Sequence, residues 1–112
     1  MKNILTLLTV LLLSQSLISQ MSLDLEKSKI KWTGKKITNA SHWGSLSFSE
    51  ANLDFDGDDL VGGKFIVDMN SISVDDIQGR GKQRLEGHLR NKDFFDVENH
   101  KEATLMFNER VP

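Results

Sequence analysis

Apolar and polar residues alternate one by one through much of this chain, and that period of two restricts it to extended structure with one wet face. In residues 28–37, Ile30, Trp32 and Gly34 fall on one side while Lys29, Lys31, Thr33 and Lys35 fall on the other. The pattern resumes with Gly44, Leu46 and Phe48 set against Ser45, Ser47 and Ser49, and continues with Leu53 and Phe55. Residues 60–69 form the longest such run, with Gly63, Phe65, Val67 and Met69 opposite Lys64, Ile66 and Asp68. Each run predicts an antiparallel strand.

The punctuation between runs supports a hairpin-rich sheet. Asp56-Gly57-Asp58-Asp59 is a tight-turn sequence, because Gly accepts the positive φ that short hairpins need. Asn70-Ser71 predicts a bend, after which Ile72 and Val74 extend the strand. Short strands with turns about every ten residues suggest a barrel or sandwich. Residues 75–81 read as a loop because they are polar and contain Gly79 and Gly81. The period then changes: Leu85 and Leu89 are four apart and Glu86 and Arg90 form a favourable i,i+4 pair, which predicts a short helix over residues 82–90. Asp93-Phe-Phe-Asp-Val97 is too apolar for a free loop, so at least one of Phe94 and Phe95 is expected to be buried. Ala103, Leu105 and Phe107 return to alternation. The fold class is therefore all-β with one short helix.

Residues 1–20 have the layout of a cleavable secretory leader. One Lys is followed by an apolar run over residues 4–13 and then by small or polar residues, with Ser16 and Ser19 as cleavage candidates. The run is shorter than the roughly 20 apolar residues a spanning helix needs. Export to the periplasm or the exterior is the expectation, with residues 21–112 as the domain and no stable membrane insertion after cleavage. The chain has no Cys, which removes disulfides, thiolate catalysis and Cys-ligated metals. Its net charge of −2 gives no general affinity for nucleic acid.

Other chemistry is weakly signalled. His42, His88 and His100 lack the i,i+4 or i,i+2 spacing that would put two metal ligands on one face. His42 is expected at a rim of the sheet, and His88 in a structural hydrogen bond. The aspartates at 54, 56, 58 and 59 miss the Gly and Glu of a calcium loop and read as a solvated hairpin. There is no Gly-x-Ser-x-Gly elbow. A catalytic role is not expected, nor is a metal or cofactor.

Four segments carry a resemblance: Trp32-Thr-Gly-Lys35, His42-Trp-Gly44, Leu60-Val-Gly-Gly-Lys-Phe-Ile-Val-Asp-Met-Asn-Ser-Ile72, and Leu85-Glu-Gly-His-Leu89 running on to Asp93-Phe-Phe-Asp-Val-Glu98. Together they closely resemble the YceI family over residues 30–107. The resemblance implies an exported, lipocalin-like antiparallel β-barrel that binds a long apolar lipid, typically a polyisoprenoid or an isoprenoid quinone. Family members run well beyond this length, so the barrel is expected to be incomplete in this chain, with its closing strands missing. His100 and Lys101 stand where members commonly have an aromatic residue followed by Pro.

The residues expected to line an apolar cavity are Trp32, Leu46, Phe48, Phe65, Val67, Met69 and Phe107 from the strands, with Phe94 and Phe95 from the turn beyond the helix. An eight-stranded barrel can be filled by side chains or can hold one slender ligand. Composition leaves both open, and the family resemblance favours the ligand. Two other readings stand beside it: a filled barrel that binds protein partners through its outer face, and a barrel enzyme using His42 or His88 with a neighbouring carboxylate. Open strand edges also predict a homodimer or aggregation.

Overall fold

In a computed structural model, residues 17–112 are described. They form five strands and one helix: β1 Ile18–Ser22, β2 Lys29–Lys35, β3 Ser41–Asp56, β4 Asp59–Val74, α1 Gly79–Arg90 and β5 Glu102–Phe107. All pairings are antiparallel. β3 and β4 are each 16 residues long and form a central hairpin. β1 pairs with Asn52–Asp56 and β2 with Ser41–Ser47, so both lie along the same edge of β3, while β5 pairs with Gly63–Asp68 of β4. No pairing joins β5 to β1 or β2 among the described residues. The sheet is open, an incomplete barrel, and mostly antiparallel β with one short helix.

The expected leader lies largely on residues outside those described. Its last residues, from Ile18, belong to β1, which straddles the boundary placed at residue 20.

The Asp-Gly turn forms where the sequence places it, with Gly57 at φ +62° between two long strands. Three irregularities interrupt the hairpin, one of them near the turn, where Val61 is an extra residue in β4 between Asp54↔Gly62 and Phe55↔Leu60. Ser49 is an extra residue in β3 between the pairs Phe48↔Val67 and Glu50↔Ile66. In β4 the register jumps from Ser45↔Ser73 to Ser47↔Asp68, at the expected bend around Asn70-Ser71. There the Ser71 hydroxyl accepts the Ser47 N–H at 2.8 Å, and the Asp68 carboxylate accepts the Asn70 N–H at 3.0 Å. Side chains thus replace the backbone partners that the bend displaces.

The helix begins at Gly79, three residues earlier than its apolar spacing indicated. Its first turn contains the two glycines whose composition suggested a loop. Gly79 enters at φ +71°, a conformation that favours Gly over other residues. One polar stripe of α1 lies on the edge of β4 beyond the end of β5. Lys82 donates to the Val74 carbonyl and, at 3.1 Å, to the Ser73 hydroxyl; Glu86 accepts the Val74 N–H at 3.0 Å; Arg90 donates to the Ile72 carbonyl at 2.8 Å. The spacing i, i+4, i+8 puts these three on one helix face. They satisfy edge groups that would otherwise invite another strand.

The fully buried apolar residues are few: Ala51, Met69, Ile72, Val74 and Val97. The expectation for the double aromatic is overturned, since Phe94 is 62% and Phe95 48% exposed. The backbone after α1 closes on itself through Phe94 N–H to the Asn91 carbonyl, Phe95 N–H to Leu89 and Val97 N–H to Arg90. That path turns Val97 inward and leaves both rings outside.

Two cross-strand contacts require glycine. Trp32 lies opposite Gly44 and its ring crosses that position, so that Nε1–H donates to the Ser73 carbonyl at 3.1 Å. A Cβ on Gly44 would fall 1.7 Å from the Ser73 oxygen and 2.7 Å from the Trp32 ring. Phe107 crosses Gly63 in the same manner, with a Cβ there 2.6 Å from the Phe107 ring. At Gly44 the obstacle is backbone; at Gly63 the nearest one is a ring near the end of β5. Gly44→Ala is therefore expected to cost at least about 2 kcal/mol by overpacking, and Gly63→Ala less, as measured by urea unfolding.

Glu86 supplies a second test. Burial alone raises its carboxyl, but the Val74 N–H and the Lys82 ammonium outweigh it and hold the group below its ordinary value. Its stabilising contribution is thus present above about pH 4.3 and is lost as the pH falls through the lower folded-state value. Glu86→Gln should be less stable than wild type at pH 7, and the gap should narrow toward pH 3.

Candidate functional site

Directly paired residues of an antiparallel sheet project from the same face. The pairs Ile30↔Leu46, Trp32↔Gly44, Phe48↔Val67, Ala51↔Phe65 and Gly63↔Phe107 therefore link all four rows of the sheet into one side. Seven of the nine residues expected to line a cavity stand on it: Trp32, Leu46, Phe48, Phe65, Val67, Met69 and Phe107. Met69 is buried and the other six are half-buried. Phe48 and Phe65 touch, with ring centroids 5.7 Å apart at an interplanar angle of 50°, within the range of favourable aromatic pairs. Phe94 and Phe95 are not brought to this face; they sit on the turn after α1.

The same face carries residues that the sequence reading left out of the site. Leu53 pairs with Gly63, Leu105 with Phe65, and Met21 with Leu53, while Phe55 follows Leu53 on the same side. Leu105 is 63% and Met21 57% exposed. For Leu53 and Phe55 the cause of the omission is the extra residue Ser49. Before it the even-numbered residues of β3 face this side; after it, the odd-numbered ones do. The signal was present in the opposite parity of Leu46 and Phe48 against Leu53 and Phe55.

The opposite face is mainly polar, although Trp43, Ile66 and Met106 also lie on it. Lys31 lies on it with its ammonium 4.5 Å from the centre of the Trp43 ring, and Lys64 meets Glu50 at 3.4 Å.

The apolar face is an open surface. A cavity of about 650 Å³ lies elsewhere, between α1 and the bend of β4, and is lined by Asp68, Asn70, Arg90, Glu98 and Lys101 beside Val97. Its charged lining does not suit an apolar chain.

His42 stands at the rim of the apolar face, paired with Gly34. Its Nδ1 is 2.8 Å from Asp76 Oδ2. Burial raises the Asp76 carboxyl, yet the His42 hydrogen bond and the Trp43 N–H bring it below its ordinary value, so Asp76 is ionised and Nδ1 is the protonated donor. This is the His–carboxylate pair that the enzymic reading needs, but no hydroxyl contacts the His42 ring among the described residues. His88 departs from expectation: among the described residues its ring has no hydrogen bond, and it is its carbonyl that accepts the Asn91 N–H at 3.3 Å. Of the hairpin aspartates, Asp56 and Asp59 are engaged by the Arg110 guanidinium.

The described residues thus form an antiparallel, barrel-type sheet with an apolar face and a bracing helix. Residues 21–111 match the family model of the YceI-like domain, and the chain belongs to that family. Its members are generally binding proteins, typically periplasmic. No curated protein and no solved structure matches the chain. Among the described residues no helix is long and apolar enough to cross a membrane.

Proposed function

We propose that this protein binds a long apolar lipid, of the polyisoprenoid or isoprenoid-quinone type, in the cell envelope and sequesters or carries it without chemical change. The observation that carries the reading is the single apolar face formed by Trp32, Leu46, Phe48, Phe65, Val67, Met69 and Phe107 across all four rows of the sheet. An isoprene chain presents apolar surface alone, and each 100 Å² it buries contributes about 2.5 kcal/mol. Aromatic and branched side chains suffice for that contact, and Met69 can adapt to an irregular chain. Specificity then follows from the length and width of the apolar track.

Export through a cleaved leader fits such a carrier, and no cofactor is required. The enzymic alternative keeps one supporting observation, the His42–Asp76 pair, and needs a reacting group near the His42 ring to become concrete.

Organic extraction of the purified protein followed by mass spectrometry tests the reading. A long-chain apolar lipid is expected from the wild type. Leu105→Asp, at an exposed position of the apolar face, should lower the yield severalfold, while Phe94→Ala, on the turn, should leave it unchanged. Repeated absence of any apolar lipid sinks the proposal.

The unpaired edges of β5 and of β1 and β2 also support pairing with a second copy of the chain. Size-exclusion chromatography should then show a dimer or larger species, and a clean monomer contradicts it.

A further inference from the structure

The two ends of the β3–β4 hairpin carry opposite charge. Between Glu26 and Glu50 the sequence has the lysines 27, 29, 31, 35 and 36 and no acidic residue, in a chain whose net charge is −2. At the other end Asp54, Asp56, Asp58 and Asp59 surround the Gly57 turn, with Arg110 paired to Asp56 and Asp59. A strand of this length separates the ends by roughly 50 Å.

The basic end closes in a tight turn between β2 and β3. Lys36 N–H donates to the Ala40 carbonyl at 2.8 Å and Asn39 N–H to the Lys36 carbonyl at 3.1 Å, with Asn39 at φ +68°. Asn tolerates that conformation better than most residues. The turn holds Ile37 fully exposed beside Lys35 and Lys36. On the adjoining polar face Trp43 is 42% exposed, with the Lys31 ammonium against its ring. Helix α1 starts at this end and adds the exposed Arg80 and Arg84, with no acidic residue in its first turn. Three carboxylates also lie at this end, each held by a local partner: Asp75 by the Ser73 hydroxyl, Asp76 by His42, and Glu86 by Lys82 and the Val74 N–H.

We infer that this end, with Ile37 at its tip, docks on the surface of an anionic lipid bilayer. A single isoleucine on a narrow turn offers far less than the roughly 800 Å² a partner contributes to a stable protein interface. One apolar residue inserted among headgroups, with lysines around it and an exposed tryptophan further along the same end, suits the bilayer boundary instead. The rim of the apolar face, at Trp32 and His42, lies at the same end. The inference rests on the lipid-carrier reading and adds where the carrier meets its source: a docked hairpin would let an apolar chain pass between bilayer and protein with little exposure to water.

Co-flotation of the protein with vesicles tests it. Vesicles of phosphatidylcholine mixed with phosphatidylglycerol should bind the protein, pure phosphatidylcholine vesicles should bind it much less, and high salt should release it, because surface attraction is screened. K35E/K36E and Ile37→Asp should each lower the bound fraction at least about fivefold. Asp58→Lys at the far tip should not lower it. Circular dichroism checks that the variants, all at exposed turn positions, retain the fold. Binding insensitive to charge reversal at Lys35 and Lys36, no binding to anionic vesicles, or capture by a soluble polyanion alone overturns the inference. Extracting K35E/K36E separates the two proposals. Lipid retained when vesicle binding by the wild type is absent rejects docking and leaves the carrier reading standing; a wild type that docks yet never yields lipid rejects the carrier.

Discussion

Every other element depends on the pairing of β3 with β4. β1 and β2 share one edge of β3, and β5 and α1 share the opposite edge of β4. Because the two strands run unbroken for 16 residues each, this one ladder sets which face every attached strand presents. Its irregularities matter as much as its regular stretches. The extra Ser49 reverses the parity of β3 partway along, and the bend at Asn70-Ser71 realigns β4, so that Phe48, Phe65, Met69 and Leu53 end on one side. Without either adjustment, a one-residue offset would send half of that surface to the polar face.

The sheet is finished differently along its two sides. Along the upper part of β4, polar side chains from α1 take the hydrogen bonds a further strand would have made, through Lys82, Glu86 and Arg90. This explains why a helix with no buried residue is nonetheless fixed in place. Along β5, and along β1 and β2, backbone groups remain open. The buried apolar set is correspondingly small, and much of the apolar face is half-buried. A surface of that kind is costly in water and stabilised by any apolar partner that covers it.

Charge and apolarity are arranged along different directions of the same sheet. Most of the large apolar residues occupy one face across its width, whereas the Lys27–Lys36 lysines and the Asp54–Asp59 aspartates gather toward opposite hairpin ends. The first arrangement suits a slender apolar ligand and the second orients the molecule in an electric field such as that of a charged surface. The His42–Asp76 pair stands where the two meet, at the rim beside the basic turn.

The sequence by itself determined the strands, the Asp-Gly hairpin, the existence of the helix and the family, because alternation, turn chemistry and i,i+4 spacing are local properties. It also determined seven members of the apolar face, since each lies on a run whose parity is unbroken locally. Only the tertiary structure decided the rest. Leu53 and Phe55 join the face through a bulge that reverses strand parity, and Met21 through a cross-strand register that no single run reveals. Gly79 and Gly81 belong to a helix, despite a composition that suggests a loop, because that helix is fixed by its stripe of contacts to β4. Phe94 and Phe95 point outward and Val97 inward because backbone hydrogen bonds after α1 fix the path of the turn. His42 finds Asp76 across 34 residues of sequence, a pairing produced by register. Local pattern sets what each segment can be; the pairing of distant backbone groups sets which side chains meet.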